Sequence, residues 1–217
     1  NSKEISLYGC LFKDLSAKLT TLNDFNQNIK FNTIIYDGQL KVNTTLVFAK
    51  ADIPSQVSAD LFGLDLEKLK ENYPALKEKD FAGLLSANIK FNGPLLNIKD
   101  IKGNGTILIS EGRLLEFEML KGIWKILFNN FIVNDYQRIA FTQAKATFKV
   151  ADQRISTDDL ILKSIPADIS AQGWVDFDKS INFDVIADVH QSPLVTATAV
   201  KAVHTTVLSQ FAKNVVG

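Results

Sequence analysis

Apolar and polar residues alternate along most of this 217-residue chain, and that period of two limits what it can fold into more than any other feature. Successive side chains of a strand point to opposite faces, so a segment with every second residue apolar has one dry and one wet side. In residues 167–177, Ala167, Ile169, Ala171, Val175 and Phe177 are apolar while Asp168, Ser170, Gln172 and Asp176 are polar. Ile181, Phe183, Val185, Ala187 and Val189 repeat the pattern. So do Leu85, Ala87, Ile89 and Phe91 against Ser86, Asn88 and Lys90, and Ala146, Phe148 and Val150 against Thr147 and Lys149.

Turn chemistry divides these runs. Strands are expected at Ile5 to Phe12 and Leu15 to Leu22, joined at Lys13-Asp14, then at Asn28 to Tyr36 and Gln39 to Ala49. The last two are linked by Asp37-Gly38, a hairpin signal because such turns need positive φ. Further strands are expected at Gln56 to Leu64, Leu84 to Phe91, Leu95 to Asp100 and Lys102 to Ser110. Phe141 to Val150 and Arg154 to Lys163 form a second hairpin about Ala151-Asp152-Gln153. About a dozen strands with tight connections imply a long antiparallel meander.

Three segments read as helices. Asp65 is a suitable N-cap for Leu66 to Tyr73, and Pro74 limits that helix because it lacks an amide hydrogen. The apolar run from Leu114 to Phe128, with Leu120, Trp124 and Phe128 on it, reads as a helix capping the end of the sheet. From Leu194 to Val215 apolar residues fall at three- and four-residue steps, the spacing of an amphipathic helix. Its valines and threonines work against that reading, since β-branched side chains lose rotamer freedom in helices. Lys77 to Asp80 is expected to be a solvated excursion.

No Pro/Gly/Ser-rich linker splits the chain, which reads as a single domain over residues 1–217. It opens at Asn1 with Met119 as its one methionine, so a processed chain or a piece of a longer one is expected. Lys+Arg and Asp+Glu both number 24, and no basic stripe stands out along the sequence, so nucleic acid is not an expected partner. Cys10 is the single cysteine and can form no internal disulfide. The Leu114 run is broken by Glu116, Glu118, Lys121 and Lys125, so no membrane span is read there. Neither His190 nor His204 stands in a metal-binding pattern, and no nucleophile elbow, P-loop or dinucleotide fingerprint occurs. Gly103-x-Gly105 lacks the third glycine. The expectation is a non-enzyme without metal or cofactor. The acidic neighbours Asp158-Asp159, Asp176 with Asp178, and Asp184 with Asp188 read as the wet side of the sheet.

The order of elements over residues 81–190 resembles the carboxyl-terminal region of the AsmA family, bacterial envelope proteins with TamB-like relatives. The resemblance rests on the strand Leu85 to Gly93, Gly103-x-Gly105-x-Ile107, the Ser110-Glu-Gly-Arg-Leu114 exit and the apolar helix to Phe128. It continues through the Phe141 to Val150 strand, Leu160-Ile-Leu162, and Gly173-x-Val175-Asp-Phe177 with Ile181-x-Phe183. It implies a long curled sheet, groove- or taco-like, whose oily side carries phospholipid acyl chains between inner and outer membranes. It also implies a periplasmic location and an inner-membrane anchor in a segment not present in this sequence. The groove lining expected is Leu85, Ile89, Phe91, Phe148, Val150, Ile169, Ala171, Val175, Phe177, Phe183 and Val185.

Independently, a protein that moves lipid must offer a continuous apolar lining, because each methylene in water costs about 0.8 kcal/mol. Two other readings stay open. One is a structural or interaction module of the envelope with a closed β core, whose edges or helices bind a partner protein and which supports outer-membrane assembly without carrying lipid; the other is a lipocalin-like closed barrel that carries one small apolar molecule.

Overall fold

The computed structural model of the protein describes residues 2–7, 10–48, 52–73, 77, 81–94, 97–114, 140–164, 167–178, 180–189 and 203–207. The strands are β1 (Ser2–Leu7), β2 (Cys10–Thr21), β3 (Asn26–Ile35), β4 (Gly38–Val47), β5 (Pro54–Asp65) and β6 (Phe81–Pro94). They continue as β7 (Lys102–Leu114), β8 (Ala140–Ala151), β9 (Arg154–Ser164), β10 (Ala167–Asp176), β11 (Ile181–Val189) and β12 (Val203–Val207). The helix α1 (Leu66–Asn72) lies between β5 and β6. Every strand pairs antiparallel with its sequence neighbours in one sheet, and β1 and β12 have one neighbour each, so the sheet is open. The mainly β antiparallel expectation therefore holds, and the closed-barrel alternative fails among the described residues.

Two hairpin turns are two-residue connections with both central residues at positive φ. Tyr36 (φ 46°) and Asp37 (φ 62°) join β3 to β4, and Asp152 (φ 53°) and Gln153 (φ 61°) join β8 to β9. This backbone matches the twist of the strands it links. Gly38 is therefore the first residue of β4, not a turn residue. Its missing side chain serves packing, since a Cβ there would lie 2.6 Å from the Leu64 Cα.

Several sequence expectations are corrected. Lys13-Asp14 is no turn; β2 runs through it, and the strand change falls between the paired residues Leu7 and Cys10. Asp14 (φ 51°) sits where the β2–β3 register shifts between Lys13 and Ser16. The carbonyl of Lys13 then accepts a 2.8 Å hydrogen bond from the hydroxyl of Thr33, so this irregular stretch gains a side-chain partner. Residues 98–100 form a 3-10 turn instead of a strand end, because the Asn97 side chain accepts from the Lys99 amide at its start. Val203–Val207 is a strand on β11, not part of a helix. Its β-branched valines and threonines favour a pleated surface over a helix. The rest of that expected helix lies outside the described residues, as does the Leu114 helix beyond Leu114 itself, with Leu120, Trp124 and Phe128. Leu114 closes β7.

α1 forms as its sequence dictates. The Asp65 carboxylate accepts from the amides of Glu67 (2.9 Å) and Lys68 (3.2 Å), and the helix ends at Asn72. The helix packs Leu66 and Leu69 with Ile35, Tyr36 and Leu64, and with Leu61, Leu85 and Ile109 around them. α1 thus covers the apolar face at one end of strands in the middle of the sheet order, and the cap expected from the Leu114 run lies outside the described residues.

Gln153 holds a left-handed conformation that costs an ordinary residue about 1–2 kcal/mol. Its carbonyl accepts the Phe177 amide at 2.8 Å, a bond that glycine retains. Gln153→Gly is therefore expected to stabilise the protein by roughly 0.5–1 kcal/mol, after the greater chain entropy of glycine is deducted. Urea denaturation would read this as a higher midpoint with an unchanged slope.

Candidate functional site

Residues paired across antiparallel strands share a face, so the register assigns each paired position to one of two sides. One row of pairs runs Phe31, Val42, Ala59, Ile89, Gly105 and Phe148 from β3 to β8. The next runs Ile29, Thr44, Val57, Phe91, Gly103, Val150, Ile155, Val175 and Ile181 from β3 to β11. A third holds Thr33, Leu40, Leu61, Ala87, Ile107 and Ala146. Apolar residues dominate all three rows. The opposite side carries lysine, asparagine, serine, threonine and aspartate.

Odd insertions would exchange these faces, and bulges prevent it. On β5 the partners Leu61↔Ala87 and Leu64↔Leu85 enclose two residues against one, so Leu64 returns to the apolar side. The extra pair, Phe62-Gly63, is anchored by a 3.1 Å bond from the Gly63 amide to the Ser86 hydroxyl. On β9 the shift between Leu160 and Thr157 has the same effect.

Glycines on this face make room for aromatic rings. A Cβ on Gly103 would collide with the Phe91 ring, and one on Gly105 would lie 2.6 Å from the Phe148 Cζ. Phe91 and Phe148 lie over the glycines beside them, with their centroids 6.5 Å apart. Phe183 covers Gly173 in the same way. The Gly103-x-Gly105 motif is thus a packing device, and no phosphate cradle is built there.

The apolar face is closed in two places and partly open between them. Under α1, Ile35 and Leu64 are buried. Toward the other end Val150, Leu162, Ile169, Ala171, Phe183 and Val185 are buried, Ile169 to 1% exposure. Leu40, Leu61 and Leu85 are half-buried at the margin of the seam under α1, and in the middle Val57, Ile89, Phe91 and Phe148 are half-buried. Ile107 is exposed.

The sequence-derived lining divides accordingly. Leu85, Ile89, Phe91, Phe148, Val150, Ile169, Ala171, Val175, Phe183 and Val185 all fall on the apolar side by register. Phe177 does not belong to that surface in the same sense. It lies beyond the end of β10 in the turn to β11, 38% exposed. Val57, Ala59, Leu61 and Ile107 were missed as lining, although the alternation within Gln56 to Leu64 was a usable signal.

Polar chemistry near the site is structural. The Cys10 thiol and Tyr73 hydroxyl lie 2.7 Å apart beside α1. Burial, and then the Cys10 thiol, hold the Tyr36 phenol well above its ordinary range. Asp159 accepts from the Thr147 amide at 2.6 Å, which holds its carboxyl below the usual range. Asp176 receives two bonds from the Arg154 guanidinium, at 2.6 and 3.0 Å, and Arg154 lies 3.8 Å over the Trp174 ring. Asp178 accepts from the Ser180 amide in the turn. Among the described residues no three of His, Cys, Asp and Glu converge to hold a metal ion. No helix there is long and apolar enough to cross a membrane.

No protein-family model matches the chain, and neither a curated protein nor a solved structure matches it.

Two outcomes follow from this geometry. Gly105→Val would drive a Cβ to 2.5 Å from the Asn88 carbonyl oxygen and into Phe148. A loss of about 1–3 kcal/mol is expected in urea melts. The Asp176 carboxyl is held below its ordinary value chiefly by the hydrogen bond from Arg154. A depressed carboxylate stabilises the fold above its unfolded pKa and loses that contribution as pH falls through the folded one. Asp176→Asn should melt below the parent at neutral pH, and the gap should close on acidification below the carboxylate range.

Proposed function

We propose that this chain is part of an AsmA-like bacterial envelope protein that binds phospholipid acyl chains along its apolar face. In this reading the open sheet curls into a groove, lies in the periplasm and is tethered to the inner membrane by a segment outside this sequence. One observation carries it: the register keeps neighbouring strands apolar on a single side, and the middle of that side is only half-buried. An extended oily strip at the surface of a protein otherwise rich in polar groups marks an interaction site. Acyl methylenes need such a strip and nothing catalytic. Headgroups remain at the wet rim, and selection between chain lengths is weak, because a methylene more or less changes binding little.

The half-buried residues Val57, Ile89, Phe91 and Phe148, with the exposed Ile107, supply the contact in this proposal. The fully buried positions at β8 to β11 hold the sheet in shape beside it. No cofactor and no catalytic group take part.

A second reading rests on a different observation. β1 pairs with β2 only as far as Ser2↔Leu15, so among the described residues Ser16 to Thr21 are paired on the β3 side alone. Such an edge accepts another strand, which would make the chain an envelope scaffold joined to a protein partner. Native mass spectrometry of protein purified from membranes separates the two. Adducts of phospholipid mass support the groove, and a bound polypeptide without lipid supports the scaffold.

Uptake of a fluorescent fatty acid by delipidated protein tests the surface itself. Ile107→Asp places a charge on the apolar side at an exposed position, whereas Thr106→Asp places it one residue away on the polar side. Ile107→Asp should cut uptake by about tenfold or more, and Thr106→Asp should leave it near the parent value. Equal uptake by both variants, or none by the parent, removes the groove.

A further inference from the structure

The polar side of the sheet is not evenly charged. Its central row pairs Lys18, Lys30, Asn43, Ser58, Lys90, Asn104 and Lys149 in succession from β2 to β8, with no carboxylate among them. Lys18 stands directly opposite Lys30, an arrangement that destabilises a sheet unless something negative meets it. Lys41 occupies the adjoining row, opposite Asp60, whose carboxylate accepts the Asn88 amide. An open depression of about 420 Å3 brings Lys18, Lys30 and Lys41 together with Asn32, Asn43 and a single carboxylate, Asp60. Farther along, the same side turns acidic: Asp168 stands opposite Asp188 on β10 and β11, and Asp184 stands opposite Gln172 on the same two strands. Among the described strands this side therefore carries most of its lysines on β2 to β8 and most of its carboxylates on β9 to β11, with Asp60, Arg154 and Lys163 among the exceptions.

A second feature lies beside the lysines. Phe62 is thrown out on the β5 bulge at 76% exposure, in the row that holds Ile34 and Gln39. Leu108 and Lys145 pair on that side as well, and Ile34 and Leu108 are both 37% exposed. Lysines spread over a sheet with an aromatic and aliphatic residues standing among them suit a surface that is anionic at its top and oily just beneath. Stacking on single-stranded nucleic acid uses several aromatic platforms, and Phe62 is the one aromatic residue among these rows in the described β2 to β8.

We infer that the lysine-rich half of the polar side, centred on Lys18, Lys30 and Lys41 with Phe62 beside them, docks the protein on an anionic bilayer. The acidic stretch of the same side at β10 and β11 is repelled by that surface, so the sheet meets the lipid through β2 to β8, which sets an orientation. This surface lies opposite the apolar face and acts independently of acyl binding there.

Co-sedimentation with vesicles tests it, using phosphatidylglycerol mixed with phosphatidylcholine against phosphatidylcholine alone. Binding is expected on the anionic vesicles and should weaken as salt rises. Lys18→Glu/Lys30→Glu/Lys41→Glu should weaken it by at least about tenfold, and Phe62→Ser by severalfold. Lys30→Gln/Lys41→Gln serves as the milder variant if the triple reversal does not fold, and it should bind less than the parent. All folded variants should keep the fatty-acid uptake of the parent, so failure here and failure of the groove are told apart. Equal binding to neutral vesicles, or no change in the lysine variants, overturns the proposal. Binding of a single-stranded oligonucleotide without binding of vesicles also overturns it and reassigns the surface to nucleic acid.

Discussion

A pleated strand turns its side chains over every residue, so one inserted residue moves everything beyond it to the other side of the sheet. A sheet whose two sides differ must therefore be kept in phase along each strand, and here bulges do it. Between Leu61 and Leu64 on β5, and between Thr157 and Leu160 on β9, the alternation in the sequence slips by one and the bulge restores it. Without the β5 bulge, either Leu64 would leave the packed seam under α1, or Ser58 and Asp60 would replace Ala59 and Leu61 in the middle rows. Every later property, from the α1 cap to the charge pattern, depends on that phase.

The two sides are built from different partners. On the apolar side, rings of Phe91, Phe148 and Phe183 lie over glycines of the neighbouring strand, which keeps packing dense without adding a second layer. On the polar side, hydrogen bonds such as Thr147 to Asp159 and the Arg154–Asp176 contact tie strands together at the surface. A single sheet with one oily and one charged side can address two environments at once. The proposed acyl surface and the proposed bilayer contact use opposite sides of the same strands.

Strand existence was legible because alternation is a local property and turn chemistry marks its ends. Asp65 as an N-cap and the hairpin about Asp152-Gln153 could be read directly, since a cap and a two-residue turn involve only neighbours in sequence. Lys13-Asp14 misled because a bulge and a turn both place a residue such as Asp14 at positive φ. Val203–Val207 misled because its apolar spacing fits a helix while its β-branched side chains prefer the strand that β11 offers.

The sequence by itself determined that the chain is mainly β, antiparallel and two-sided, because a period of two and the residues at its turns suffice for that. Only the tertiary structure decided that the sheet stays open, that Ile89, Phe91 and Phe148 stay half-buried while Ile169 is sealed, and that α1 packs over Ile35 and Leu64. It also decided that Lys18, Lys30, Lys90 and Lys149 form a row, where no basic stripe is visible along the chain. The reason is physical: cross-strand register brings together residues far apart in sequence, and burial depends on what those neighbours leave uncovered.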